Sequence, residues 1–357
     1  MRQFVIRYAS WLLWAVALVV PLLFASGYQL FQLSMVAVYA LAILGFNLVT
    51  GYNGQISLGH GAFYAVGAYT TAIMMNAWDT PYWATLPVSA VVCAAFGFLI
   101  GLPALRLGGL YLALTTFALA VATPQLLKYK AFEDWTGGVQ GIVIDKPDAP
   151  FGLPLNGDQW LYLFAFLVAT VLFVLAANLV RGRIGRAMMA IRDYPLAAEA
   201  MGINLALFKT RTFAVSAMIT GIAGSLGAIV VQFVSPDSYS ITLSLTLFVG
   251  LIVGGVASIP GAIFGAIFIE FVPNIAEAVS KAAPSAVYGV ILIIFMFLMP
   301  SGVWGFLRPR VRRLLTVTSQ ASIAADDPPK PRLADSGPAS HLAEPREPAR
   351  TVRDPAD

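Results

Sequence analysis

Few residues of this 357-residue chain are equipped for chemistry. Ser57 and His60 share one uncharged stretch, GYNGQISLGHG (51–61), with Asn53 and Gln55. A serine near a histidine invites a nucleophile–base reading. Such enzymes, however, bring the two from different elements and add an oxyanion site. Cys93 is the only cysteine and the second histidine, His341, lies in a polar tail, so neither a disulfide within the chain nor a histidine-based metal set can form. No glycine-rich loop with Gly-Lys-Ser/Thr is present, so the chain has no phosphate cradle for hydrolysing ATP. Carboxylates are almost missing from the apolar runs, which removes the usual device of ion-coupled transporters. What remains is contact chemistry. Asn53, Gln55, Ser57 and His60, with backbone laid bare at Gly54 and Gly59, can replace water around a polar solute. A second stretch, GRIGRAMMAIRDYPLAAEAMGINLALFKTR (182–211), is basic and helical in period, and Arg192, Glu199, Ala200 and Gly202 suit it to a protein partner.

The elements that must position these residues are membrane helices. The chain is 59% hydrophobic and 11% charged, with mean hydropathy +0.78, where soluble domains carry about a quarter charged residues. Its net charge of +4 is a topology signal, because the basic residues flank apolar runs and form no nucleic-acid patch. From Tyr8 to Trp78 no Asp, Glu, Lys or Arg occurs. That run exceeds the ~20 residues of one span several-fold, and reads as spans near 9–26, 31–50 and 62–77. The first is read as a retained span, since Phe24 before Ser26 fits signal cleavage poorly. Further spans are expected at 82–105, 107–127, 160–180 and 212–234. A run over 242–269 is broken at Gly254-Gly255 and Pro260-Gly261, and the last span covers 288–307. Residues 270–281 read as an amphipathic helix on the outer surface. Arg106 reads as an interfacial anchor. Gly221, Gly224 and Gly227 at three-residue spacing predict close helix packing. Gly54, Gly61 and Ala62 recur two hundred positions later as Gly254, Gly261 and Ala262, a faint echo between two interrupted segments.

Loop charge sets the orientation. Arg181, Arg183, Arg186, Arg192, Lys209 and Arg211 place the 181–211 loop inside, and Arg308, Arg310, Arg312 and Arg313 do the same for the C-terminus. The loop over 128–158, richer in Asp and Glu, faces outward. Within 181–211 apolar residues recur at helical spacing through Ala187, Met188, Ile191, Leu196, Ala197, Ala200 and Met201, and Gly202 ends the turn. The expected architecture is an all-α, polytopic integral membrane bundle of about ten membrane segments with both termini cytoplasmic. Residues 1–313 form the membrane domain and 314–357, rich in Pro, Ala and charge, a disordered tail.

Four motifs resemble one family. Glu199-Ala200-Met201-Gly202, preceded by GRAMMAIRDYPLAA, resembles the coupling loop of ABC importer permeases, more narrowly the branched-chain amino acid permeases of the LivM type. GYNGQISLGHGAFYAVGAY, LPALRLGGLYLALTT and WTGGVQGI resemble that family's glycine-rich signature, its cytoplasmic connection and its external loop. The resemblance implies a permease subunit in a bacterial inner membrane, with no enzymatic activity and no cofactor of its own. It also implies a second related permease subunit, two ATP-binding subunits that the loop docks through Arg192, Glu199, Ala200 and Gly202, and an external substrate-binding protein. Asn53, Gln55, Ser57, Gly59 and His60 are the expected translocation path. Relatives of this architecture also import urea, amides or aromatic acids, and a passive channel or structural subunit is the alternative class.

Overall fold

The computed structural model describes residues 14–104, 109–150, 154–281 and 283–309. The tail, the first residues of the expected first span, and Arg2, Arg7, Arg106, Arg310, Arg312 and Arg313 lie outside the described residues.

Helix α1 (Trp14–Phe24) is followed by α2 (Gly27–Asn47). A capping box fixes the start of α2: the Gln29 N–H donates to Ser26 Oγ, and the Ser26 N–H donates to Gln29 Oε1. α2 runs on as a π-helix (Leu48–Tyr52) before the chain breaks. Then come α3 (His60–Trp78), α4 (Tyr82–Ala104), α5 (Leu110–Leu127), the single turn α6 (Glu133–Thr136) and strand β1 (Ile142–Val143). α7 (Gly157–Arg181), α8 (Arg183–Asp193), α9 (Pro195–Ala200), α10 (Leu205–Val231) and β2 (Phe233–Val234) follow. The order closes with α11 (Ile241–Gly254), α12 (Ile259–Val279) and α13 (Pro284–Leu298). α2, α4, α7, α10, α12 and the stretch Pro284–Pro309 are long and apolar enough to cross a membrane, while α1, α5 and α11 are shorter apolar helices. The molecule is an all-α polytopic bundle.

These helices are apolar all round, so side-chain size rather than polarity decides which face packs. α10 lies at the centre against α4, α3 and α2, and α2 also carries α7, α11 and α12. Gly224 shows why: a Cβ there would collide with the Tyr64 carbonyl of α3. The glycine spacing thus does what the sequence suggested. α13, by contrast, has no buried residue and stands at the periphery.

The 128–158 connection is tied down rather than loose. Its Thr136 hydroxyl donates to the carbonyls of Leu127 (2.8 Å) and Phe132 (2.9 Å), and Gly137, Gly138 and Gly141 turn through positive φ. β1 then pairs antiparallel with β2, Ile142 opposite Val234. Lys128–Asp237 (2.5 Å) and Lys146–Asp158 (2.6 Å) add two ion pairs.

Residues 270–279, expected as an amphipathic surface stretch, are the largely exposed end of α12, which runs unbroken from Ile259 to Val279, through Pro273. Pro273 itself lies on the exposed part of the helix. The final span starts earlier than expected, at Pro284, and is interrupted at residues 299–301 before a last helical stretch over 302–309.

Candidate functional site

The glycine-rich stretch 51–61 is a true break in the membrane helices. In the π-helix the Asn53 N–H reaches back five residues to the Leu48 carbonyl (3.2 Å), and Gly54 at φ +71° ends it. Single π turns mark functional sites often, because the widened ladder displaces carbonyls. The chain then runs without regular structure to Gly59, and α3 begins at His60 without a side-chain cap of its own. Distant hydroxyls supply what is missing. Thr116 of α5 accepts from the Leu58 N–H (2.9 Å) and Ser244 of α11 from the Gly61 N–H (2.9 Å), while Ser57 Oγ accepts locally from the Gly59 N–H (3.4 Å). Irregular backbone at membrane depth requires this kind of satisfaction.

Ser57, Gly59 and His60 are fully enclosed, Gln55 is half-buried, and Ile56 is exposed. The His60 ring stacks on Phe46 (centroids 4.2 Å apart) and abuts Phe63 and Phe213. Its Nε2 lies 2.7 Å from Ser216 Oγ, which itself donates to the Gly45 carbonyl (2.6 Å). A hydroxyl has one proton to give, so His60 must be the donor and carries its proton on Nε2. Nδ1 is left without a protein partner. Ser57 and His60 are not paired as nucleophile and base, and no group of three metal-ligating side chains occurs among the described residues. Asn53 is 2% exposed, and both ends of its amide lack a partner.

A second break lies beside the first. α11 ends at Gly254, Gly255 (φ +114°) and Ala257 (φ +57°) turn the chain, and Ser258 caps α12 by accepting from the Gly261 N–H (3.1 Å). Asn47 staples the two breaks together: its Nδ2 donates to the Ser258 carbonyl (2.7 Å) and its Oδ1 accepts from the Ala257 N–H (2.9 Å). Gly51 is pressed so closely on Ala257 that a Cβ would lie 2.6 Å from that nitrogen. The second break is thus held against the residues that lead into the first, Asn47 and Gly51. Sequence reasoning passed over Asn47. The available signal was one carboxamide in an otherwise apolar α2 interior.

The 181–211 loop folds as the helix pair α8 and α9, stopped at Gly202 (φ +84°). Met188, Ile191 and Ala198 turn inward and are buried. Tyr194 (75% exposed), Leu196 (83%) and Met201 (85%) point outward with Glu199 and Ala200. Beside them Glu199, Gly202, Asn204 and Lys209 line an open groove of about 500 Å³. Arg192 does not join this face. Its Nη1 donates to the Gly51 carbonyl (2.9 Å) and its Nε to Asp193 Oδ1 (2.8 Å). A pocket of about 120 Å³ between loop and break is lined by Asn53, Gln55, Arg192 and Lys209.

The model of the family described as "Branched-chain amino acid transport system / permease component" matches residues 29–299. The chain is 34% identical over 235 residues to the high-affinity branched-chain amino acid transport system permease protein LivM of Salmonella typhimurium, covering 59% of this chain and 55% of that one. LivM of Escherichia coli matches with the same identity and coverage. The chain thus spans about half the length of these two curated relatives. LivH of Salmonella typhimurium is 25% identical over 304 residues, 77% of this chain and 93% of that one. No solved structure matches. With the family model spanning both breaks and the intervening loop, the chain belongs to the branched-chain amino acid transport system permease family.

Proposed function

We propose that this chain is the membrane-spanning permease subunit of an ATP-driven importer in the bacterial inner membrane, and that branched-chain amino acids or similar small zwitterions are its cargo. The observation that carries the reading is the α8–α9 pair, which displays Tyr194, Leu196 and Met201 in a protein otherwise built of membrane helices. Exposed apolar side chains beside a polar groove suit a protein partner. The chain has no phosphate loop, so the energy comes from two ATP-binding subunits docked there. A second related permease subunit and an external binding protein complete the assembly.

In this reading the ten apolar helices α1–α5, α7 and α10–α13 lie in the membrane. Both termini and the 181–211 loop are inside, and the β1–β2 side is outside. The path follows the first break. Gln55, half-buried, meets the cargo first, while Asn53, Ser57, Gly59 and His60 are reached once the break opens, because they are enclosed in the conformation described. Neutral polar groups and backbone suit a zwitterion, since they contact both of its charges without trapping it.

The test is uptake by proteoliposomes holding the assembled importer with its binding protein. ATP-dependent entry of leucine, isoleucine or valine is expected. Entry at the same rate without ATP would make the chain a passive channel. ATP-driven entry of urea or an amide with no amino-acid uptake would move the substrate class.

A further inference from the structure

Arg192 sits where a docking residue was expected, yet its guanidinium turns back onto the first break while about a third of the side chain stays exposed. We propose that Arg192 is a positioning residue, the strut through which displacement of the α8–α9 pair is delivered to both helix breaks. The inference rests on the importer reading above and names the residue that executes its coupling.

Three observations carry it. First, α8 is anchored on the bundle through Met188 and Ile191 and abuts the π-helix and α10, so it shifts as a body with its tip. Arg192 occupies its last turn, two residues before Tyr194 of the outward face. Second, the Arg192 contact is directional and tight. Nη1 satisfies the displaced Gly51 carbonyl, Asp193 holds Nε and so fixes the guanidinium plane, and the stem runs over Gly54, where a Cβ would come within 2.7 Å of Cγ. Third, Gly51 transmits further. It is pressed on Ala257, and Asn47 bonds Ala257 and Ser258, so a pull on Gly51 reaches the second break without an intervening gap.

The chemistry requires arginine. Lysine offers a point charge that can meet Gly51 or Asp193 but cannot hold the planar fork between them. Tyr194, Leu196 and Met201 do the docking, and Arg192 does the moving.

The experiment uses the full importer in proteoliposomes and reads three quantities for each variant: ATPase subunits retained on purification, ATP hydrolysed, and substrate taken up per ATP. Arg192→Lys and Arg192→Gln should retain the ATPase subunits at wild-type stoichiometry while uptake per ATP falls about tenfold or more. Asp193→Asn, which loosens the fork but leaves the Gly51 bond, should fall by only about threefold. Gly54→Ala crowds the strut from the other side and is strained at positive φ, so it should reproduce the Arg192→Lys pattern, and it decides the matter where an Arg192 variant does not accumulate in the membrane. Wild-type uptake per ATP in Arg192→Lys or in Gly54→Ala overturns the proposal. So does loss of the ATPase subunits from Arg192→Lys, which would make Arg192 a docking contact. Failure of the wild-type importer to couple ATP to uptake would sink the importer reading instead, and is seen before any variant is made.

Discussion

Gly59 and Asn47 show how far a residue type reveals its own role. Gly59 stood out as a site for close backbone approach, and a Cβ there would lie 2.9 Å from the Thr116 carbonyl. Gly59→Leu is therefore expected to abolish uptake, but through packing as well as through any role in a path. A cleaner probe is Gln55→Ala, on a half-buried side chain with no distant partner: it should raise KM for uptake several-fold while membrane level and thermal stability stay at wild type. Asn47→Ala should behave oppositely. It strands the Ala257 N–H and the Ser258 carbonyl in a buried place, costing about 1–3 kcal/mol for each. A melting curve in detergent should show the loss, and Asn47→Asp should recover part of it by keeping the acceptor. The presence of small polar groups at 51–61 was legible from sequence because charge was absent over a long run. Their partners were not, since Thr116, Ser216 and Ser244 lie far away in the chain and hydroxyls are common on membrane helices.

Among the elements, α8 and α9 were legible because their apolar residues keep a helical period against a polar background. Which way each face turns was not. Met188 and Ile191 carry the same signal as Leu196 and Met201, yet the first two are buried and the last two exposed. Burial there depends on α7 and α10, which no local pattern encodes. The outward set makes the prediction. Leu196→Asp or Met201→Asp should leave the permease in the membrane but remove the ATP-binding subunits on co-purification, since a new carboxylate must be desolvated at the interface. Glu199→Lys or Gly202→Trp should uncouple hydrolysis from uptake instead: Gly202 has open space around it, so the indole reaches the partner rather than the bundle, while its positive φ adds backbone strain that Glu199→Lys does not share. Equal uptake by these variants at equal expression would remove the docking assignment. α12 shows the opposite failure of legibility. Glu270, Glu277 and Pro273 together look like the end of a helix, and the backbone nevertheless continues unbroken to Val279.

For the whole molecule, hydropathy makes the class readable, and the Arg clusters carry the proposed orientation, because basic residues beside spans resist transfer across a bilayer. Arg186→Cys should be shielded from impermeant thiol reagents in intact cells, while Asp145→Cys, on the exposed outer connection, should react. The reverse labelling would invert the topology. Native Cys93 is buried beside Phe63 and Gly221, so it should stay silent in either case and need not be removed.

The staple made by Asn47 also sets an order in time. Asn47 and Ser258 are 211 positions apart, so at about 5–20 residues per second the ribosome delivers the partner roughly 10–40 s after Asn47 has emerged. For that interval α2 holds an unanswered carboxamide at the edge of hydrocarbon, and Gly61 likewise waits for Ser244. The two breaks therefore close only when nearly the whole membrane domain has been made. A nascent chain stopped at residue 251 should be cleared by membrane proteases much faster than one stopped after α12, so that the stapled breaks double as a checkpoint for completed synthesis.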